Sequence, residues 1–137
     1  MGAMSQMLVA MGGAFNFNYT IAANVNNFNL KSAAIAAGWD QVTPLNANVT
    51  VNSGVVIGSA SIGAYAFDTG VTFPAGTSLS LAIGASAYVV GAGGVGGAGG
   101  ILTQIVGSQN QVYTGAAGGS GGPAFIAQYA ISINNAG

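Results

Sequence analysis

The chain has 137 residues, and its only charged side chains are Lys31, Asp40 and Asp68. That length suits one domain with a core of its own or a share in an oligomer's core. With no Cys and no His, disulfides, thiolate chemistry, the commonest metal ligands and an imidazole base are excluded, and a net charge of −1 leaves no basic footprint for nucleic acid.

The N-terminal stretch Met1 to Gly13 is apolar, but no Lys or Arg precedes its hydrophobic part as a secretory signal requires. Phe15-Asn16-Phe17-Asn18-Tyr19-Thr20-Ile21 alternates apolar and polar residues and predicts a half-buried strand. A turn cluster follows at Asn24 to Asn27. Asn29 is placed to cap a short helix, Leu30 to Ala37, stopped by Gly38. Leu30, Ala33, Ala34 and Ala37 fall on one face of that helix. Trp39 is expected to pack against it, with an indole N–H in need of a partner, and Pro44 begins an extended segment.

From Leu45 onward no helix is signalled. Asn48 to Gly58 reads as strand, Asn-Ser-Gly turn and strand; Thr77 to Gly84 and Ala87 to Val90 repeat the style, and Ile131 to Gly137 begins it again. Short alternating strands joined by small-residue corners are the sequence habit of β-solenoids. The expected fold is therefore mainly β and solenoid-like, with one short N-terminal helix; a β-sandwich with long glycine loops is the competing architecture. One domain, 1–137, is expected. It divides into an N-terminal segment (1–14), a strand with the short helix (15–44), a β region (45–90) and a glycine-rich part with a final strand (91–137).

The glycine-rich part centres on Gly91-Ala92-Gly93-Gly94-Val95-Gly96-Gly97-Ala98-Gly99-Gly100, where the non-glycine residues recur at every third position. Three residues per turn is the period of the polyproline-II helix, which has no internal hydrogen bonds and must find partners outside itself. Glycine on two of its three edges lets other backbones approach closely. Gly115 to Pro123 repeats the pattern, with Ala117, Ser120 and Pro123 in phase. Two extended glycine helices are predicted, packed on each other or on copies from neighbouring chains. Flexible linkers are the alternative, although linkers need no phase. Gly94, Gly97, Gly118 and Gly121 are the candidate packing positions. Tyr88, Tyr113 and Tyr129 are candidates either to seal the helix ends or to present rings to a ligand.

Phe15, Phe17, Tyr19, Phe67, Phe73 and Phe125 are expected in the core. Asp40 and Asp68 each sit in a turn and are expected to accept backbone N–H bonds; Lys31 is expected to be solvated. No group is placed to activate a Ser or Thr as a nucleophile. The glycine runs also lack the Gly-Lys-Ser/Thr ending and the helix start of a phosphate-binding loop. The chain is therefore expected not to be an enzyme and to need no cofactor or metal.

Asn26 to Asp40, Pro44-Leu45-Asn46-Ala47, Tyr65-Ala66-Phe67-Asp68-Thr69-Gly70 and Pro74-Ala75-Gly76 together resemble glycine-rich bacteriophage and prophage tail proteins of the tail-fibre or receptor-binding type. Gly119 to Ala124 and Tyr129 to Asn135 are similar to the same family. The resemblance runs from about Phe15 onward. It implies a non-enzymatic virion tail component, structural or receptor-binding, found in the tail and, during assembly, in the host cytoplasm.

Implied partners are other tail proteins and a bacterial surface glycan or outer-membrane protein, with no nucleic acid. The nearly uncharged sequence predicts self-association as a homo-oligomer, a trimer. Two other readings stand beside this one. An ice-binding protein would need a regular Thr face, for which Thr50, Thr77 and Thr103 are the scattered candidates. A membrane-embedded subunit would use Leu81 to Leu102, whose glycines each cost a helix about 1 kcal/mol against alanine.

Overall fold

A computed structural model describes residues 13–98, 101–104 and 111–136. The protein is mainly β. Strand β1 (Phe15–Ile21) is followed by β2 (Val25–Asn26), β3 (Phe28–Asn29) and helix α1 (Leu30–Ala36). A second pass gives β4 (Leu45–Val51), β5 (Val56–Gly58) and β6 (Phe67–Asp68). A third gives β7 (Ser78–Ile83), β8 (Tyr88–Val90) and, after the glycine-rich part, β11 (Phe125–Ile126); β12 (Ile131–Asn135) opens a fourth. Between β8 and β11 lie β9 (Ile101–Gln104) and β10 (Gln111–Thr114).

Each pass places its strands in the same three parallel sheets, in the same order. The first sheet runs β1-β4-β7-β12, the second β2-β5-β8 and the third β3-β6-β11. This all-parallel pairing differs from the antiparallel sheets of the sandwich alternative. Successive passes take 30, 32 and 52 residues: Phe15 to Leu45, Asn46 to Ser78 and Leu79 to Ile131. The third is longer because the glycine-rich part is inserted in it.

Strict register stacks like on like. Phe17, Ala47, Leu79 and Ile131 form one inward column; Tyr19, Val49, Leu81 and Ile133 form the next. Val49 and Leu81 are almost fully buried, whereas Tyr19 and Ile133, at the two ends of their column, are 41 % and 49 % exposed. Tyr19 thus departs from the expected core position, because nothing among the described residues stacks above β1. Its ring still leans on Phe17 and Phe28, each 5.5 Å away between centroids. Outward positions carry neutral polar columns. Asn46 donates to Asn16 at 3.0 Å, Asn48 to Asn18 at 3.1 Å, and the Ser80 hydroxyl to Asn48 at 2.7 Å.

Phe28, Phe67 and Phe125 stack along the third sheet. Trp39, Phe73 and Tyr129 make a second run of ring contacts, with centroids 5.7 and 4.9 Å apart. Corners repeat as faithfully as strands: Asn52, Gly84 and Ala136 donate their amides to Ile21, Val51 and Ile83 at 2.9–3.0 Å. Gly84 cannot carry a side chain, since a methyl there would lie 2.8 Å from both the Ser53 nitrogen and the Val51 oxygen.

Helix α1 starts where Asn29 predicts. The Asn29 side chain accepts the Ser32 amide at 2.8 Å, and Gly38, at φ +106°, ends the turn. The Trp39 indole donates to the Thr43 carbonyl at 2.8 Å. Asp40 accepts the amides of Val42 and Thr43 and the Thr43 hydroxyl; these bonds hold its carboxyl below the usual aspartate range. Asp68 accepts the Gly70 amide at 2.8 Å, with Asn29 and Gln128 on the same carboxylate.

Lys31 is not simply solvated. Its ammonium donates to the carbonyls of Val71 and Thr72 at 2.7 and 3.1 Å and lies 5.7 Å from the Phe73 ring centre. Thr72 has a left-handed backbone, φ +62°, and turns its carbonyl toward the only cation in the sequence. Among the described residues every buried side-chain nitrogen or oxygen has a hydrogen-bond partner.

Candidate functional site

The inserted part leaves the stack at Val90 and returns at Pro123 as two antiparallel extended arms, 91–98 and 115–122. Three backbone bonds join them. Gly122 donates to Ala92 at 2.7 Å, Gly119 to Val95 at 2.8 Å and Ala116 to Ala98 at 3.0 Å. Acceptors and donors both recur at every third residue, in phase with the non-glycine positions of the first arm. Beyond the arms, β9 and β10 pair antiparallel, Ile101 opposite Thr114 and Gln104 opposite Gln111.

Close backbone approach requires glycine along one edge. A methyl built on Gly94 would overlap the Gly119 carbonyl and lie 2.7 Å from the Ser120 oxygen; one on Gly97 would overlap the Ala116 carbonyl. Gly91 stands in the same relation to Gly122. On the second arm the fit is less tight. Methyls at Gly118 and Gly121 would lie 3.1 and 3.2 Å from the carbonyls of Val95 and Ala92, distances that a small shift relieves. On the second glycine edge of the first arm, nothing among the described residues lies within 4 Å of a methyl at Gly93 or Gly96. Val95 is 73 % exposed, with its Cγ2 2.9 Å from where a methyl on Gly119 would stand.

Tyr88 sits on β8, 58 % exposed, at the start of the arms. Tyr113 is on β10. The two tyrosines therefore belong to different parts, one at the stack and one on the distal hairpin. Periodicity gave no signal for the contact at the base of the arms. There Gly122 lies against the Ile62 backbone, where a methyl would stand 2.7 Å from its Cα and oxygen.

The threonines required by an ice-binding face do not share one. Thr50 is on β4, the Thr77 hydroxyl accepts the Leu45 amide, and Thr103 is on β9. Leu81 to Leu102 forms strands and extended arm over its described residues; no helix among the described residues is long and apolar enough to cross a membrane. Among them, too, no group of three His, Cys, Asp or Glu is placed to hold a metal.

Parallel sheets with neutral faces, and an exposed pair of glycine arms ending in a hairpin, define a protein organised around surfaces and backbone contacts. The family model described as phage tail fibre adhesin Gp38 matches residues 16–137, and the chain belongs to that family. Its place is accordingly the virion tail. Neither the curated proteins nor the solved structures contain a match to the chain.

Proposed function

We propose that this chain is a non-enzymatic receptor-binding element of the phage tail, in which the stack is a β-solenoid base and the arms are a pair of polyglycine-II helices presenting the β9–β10 hairpin to the host surface. The observation carrying this reading is the three-residue ladder of Ala92, Val95 and Ala98 with Gly122, Gly119 and Ala116. It joins two exposed arms by their backbones, so they form a spacer with no core of its own. Repeated visits to three parallel sheets in constant order support the solenoid base. Gly94, Gly97, Gly118 and Gly121 hold the arms together in this reading, and Tyr88 marks where they leave the base.

The ligand is a bacterial surface glycan or outer-membrane protein, held by shape, neutral hydrogen bonds and ring contacts, because charge is scarce. Other tail proteins are the structural partners, met during assembly in the host cytoplasm. Self-association as a homotrimer rests on composition, and a stable folded monomer in sedimentation at micromolar concentration would remove it.

The test replaces 101–114 with a Gly-Ser loop and measures adsorption of the purified protein to host cells. Adsorption should be lost while the circular dichroism of the stack persists. Unchanged adsorption would overturn the hairpin as receptor contact. Periodate treatment and protease treatment of the cells separate a glycan receptor from a protein one.

A further inference from the structure

We infer that the loop between β5 and β6, residues 59–66, is a buttress that sets the direction in which the glycine arms leave the stack, with Asn27 as its anchor. The inference deepens the receptor-binding reading, because arm direction decides where the hairpin points.

Burial does not hold the tip of the loop; Ala60, Ser61, Ile62 and Gly63 are all exposed. Polar bonds shape it instead. Asn27, on the pass before, has a left-handed backbone, φ +54°, and donates its own amide to Gly58 at 2.9 Å. Its side-chain amide donates to the Tyr65 carbonyl at 2.9 Å, and its side-chain oxygen accepts the Ala60 amide at 3.3 Å. One side chain thus spans both ends of the loop. Inside it, the Ser59 hydroxyl lies 2.7 Å from the carbonyls of both Ser61 and Ala64 and shares its proton between them. The Ala64 amide returns to the Ser61 carbonyl at 3.2 Å.

That brace holds the Ile62 backbone against Gly122. Gly122 is also the residue whose amide joins the arms at Ala92, and it lies against Gly91 of the other arm. Three backbones therefore meet at the root. Farther out, residues 93–98 and 115–121 are exposed, and among the described residues the backbone bonds of the arms run from one to the other. Small angular freedom at the root becomes a large displacement at the hairpin, so rigidity is needed at this contact. Asn27 and Ser59 are positioning residues, acting through Ile62.

The absence of cysteine permits clean pairwise labelling. In the full chain carrying Thr50→Cys and Val95→Cys, spin labels on the stack and on the arm report the distance between them. The parent should give one narrow distribution. Asn27→Ala should broaden and shift it while the melting temperature of the stack changes little, and adsorption to cells should fall several-fold. A parent distribution that is already broad, or one that Asn27→Ala leaves unchanged, would overturn the buttress. If Asn27→Ala fails to fold, Ser59→Ala carries the same readout and is subject to the same two outcomes. A parent that is narrow and sensitive to Asn27→Ala but does not adsorb to cells would refute the receptor reading alone.

Discussion

The Phe125 ring lies on that of Phe67 with centroids 5.0 Å apart and planes 3° from parallel. Between the second and third members of this column the chain runs through β7, β8, both glycine arms and the hairpin, yet it returns in register. The arms are thus an excursion that leaves the stack intact on either side.

Phe67 is fully buried between Phe28 and Phe125, so Phe67→Ala should cost about 3–5 kcal/mol. Phe125→Ala should cost less, because that ring is only half-buried at the end of its column. Chemical denaturation of the two variants checks the order. A smaller loss for Phe67→Ala would mean that the column does not organise the core.

Arm glycines should separate by edge. Gly94→Ala and Gly97→Ala drive a methyl into the opposing carbonyl and should each break a ladder bond, about 1–3 kcal/mol locally. Gly118→Ala and Gly121→Ala need only a small shift and should cost less. Gly93→Ala and Gly96→Ala meet open space and should be neutral, and Val95→Ala should stay within about 1 kcal/mol. Amide exchange at Gly119 and Gly122 reads the ladder directly. Equal protection in Gly94→Ala and Gly93→Ala would show that the arms are not held in this phase.

Asp40 introduces an acid dependence. Its folded pKa is lowered by bonds from Thr43 and Val42, so its contribution is complete above the ordinary aspartate value of about 4. It declines as the pH falls through the lower folded value. Asp40→Asn should flatten stability against pH in that acid window and leave the neutral-pH slope unchanged. An unchanged acid slope would assign the loss to another group.

Lys31→Met retains an apolar stem over Phe73 but deprives the Val71 and Thr72 carbonyls of their donor. Both remain near solvent, so the expected cost is about 1 kcal/mol. Amide exchange in residues 69–77 should rise beyond that of the sheets. Exchange that rises uniformly would place the effect elsewhere.

Adsorption to host cells should change little between low and high salt, since the sequence offers one cation and two carboxylates, and each carboxylate already accepts local hydrogen bonds. A steep decline with salt would reveal an electrostatic receptor contact.

Much of the local structure was legible because its causes are local. Alternation at Phe15 to Ile21, the Asn29 cap, the Gly38 stop and the Asp68 turn each depend on residues within a few positions of one another. The period of three at Gly91 to Gly100 is equally local. Pairing was not local. Which strand lies beside which depends on register across 30 to 52 residues, and nothing in β4 by itself specifies β1 and β7 as neighbours. Tyr19 has the pattern of a core residue; only its place at the end of a column exposes it. Lys31 reads as a solvated helix residue until the fold brings the Val71 and Thr72 carbonyls to its ammonium. Likewise, the glycine phase allows close approach along two edges, and the tertiary structure decided that the opposing arm fills the edge of Gly91, Gly94 and Gly97, while nothing among the described residues comes within 4 Å of a methyl at Gly93 or Gly96. Sequence periodicity determines which faces an element offers; contact with a distant backbone determines which face is used.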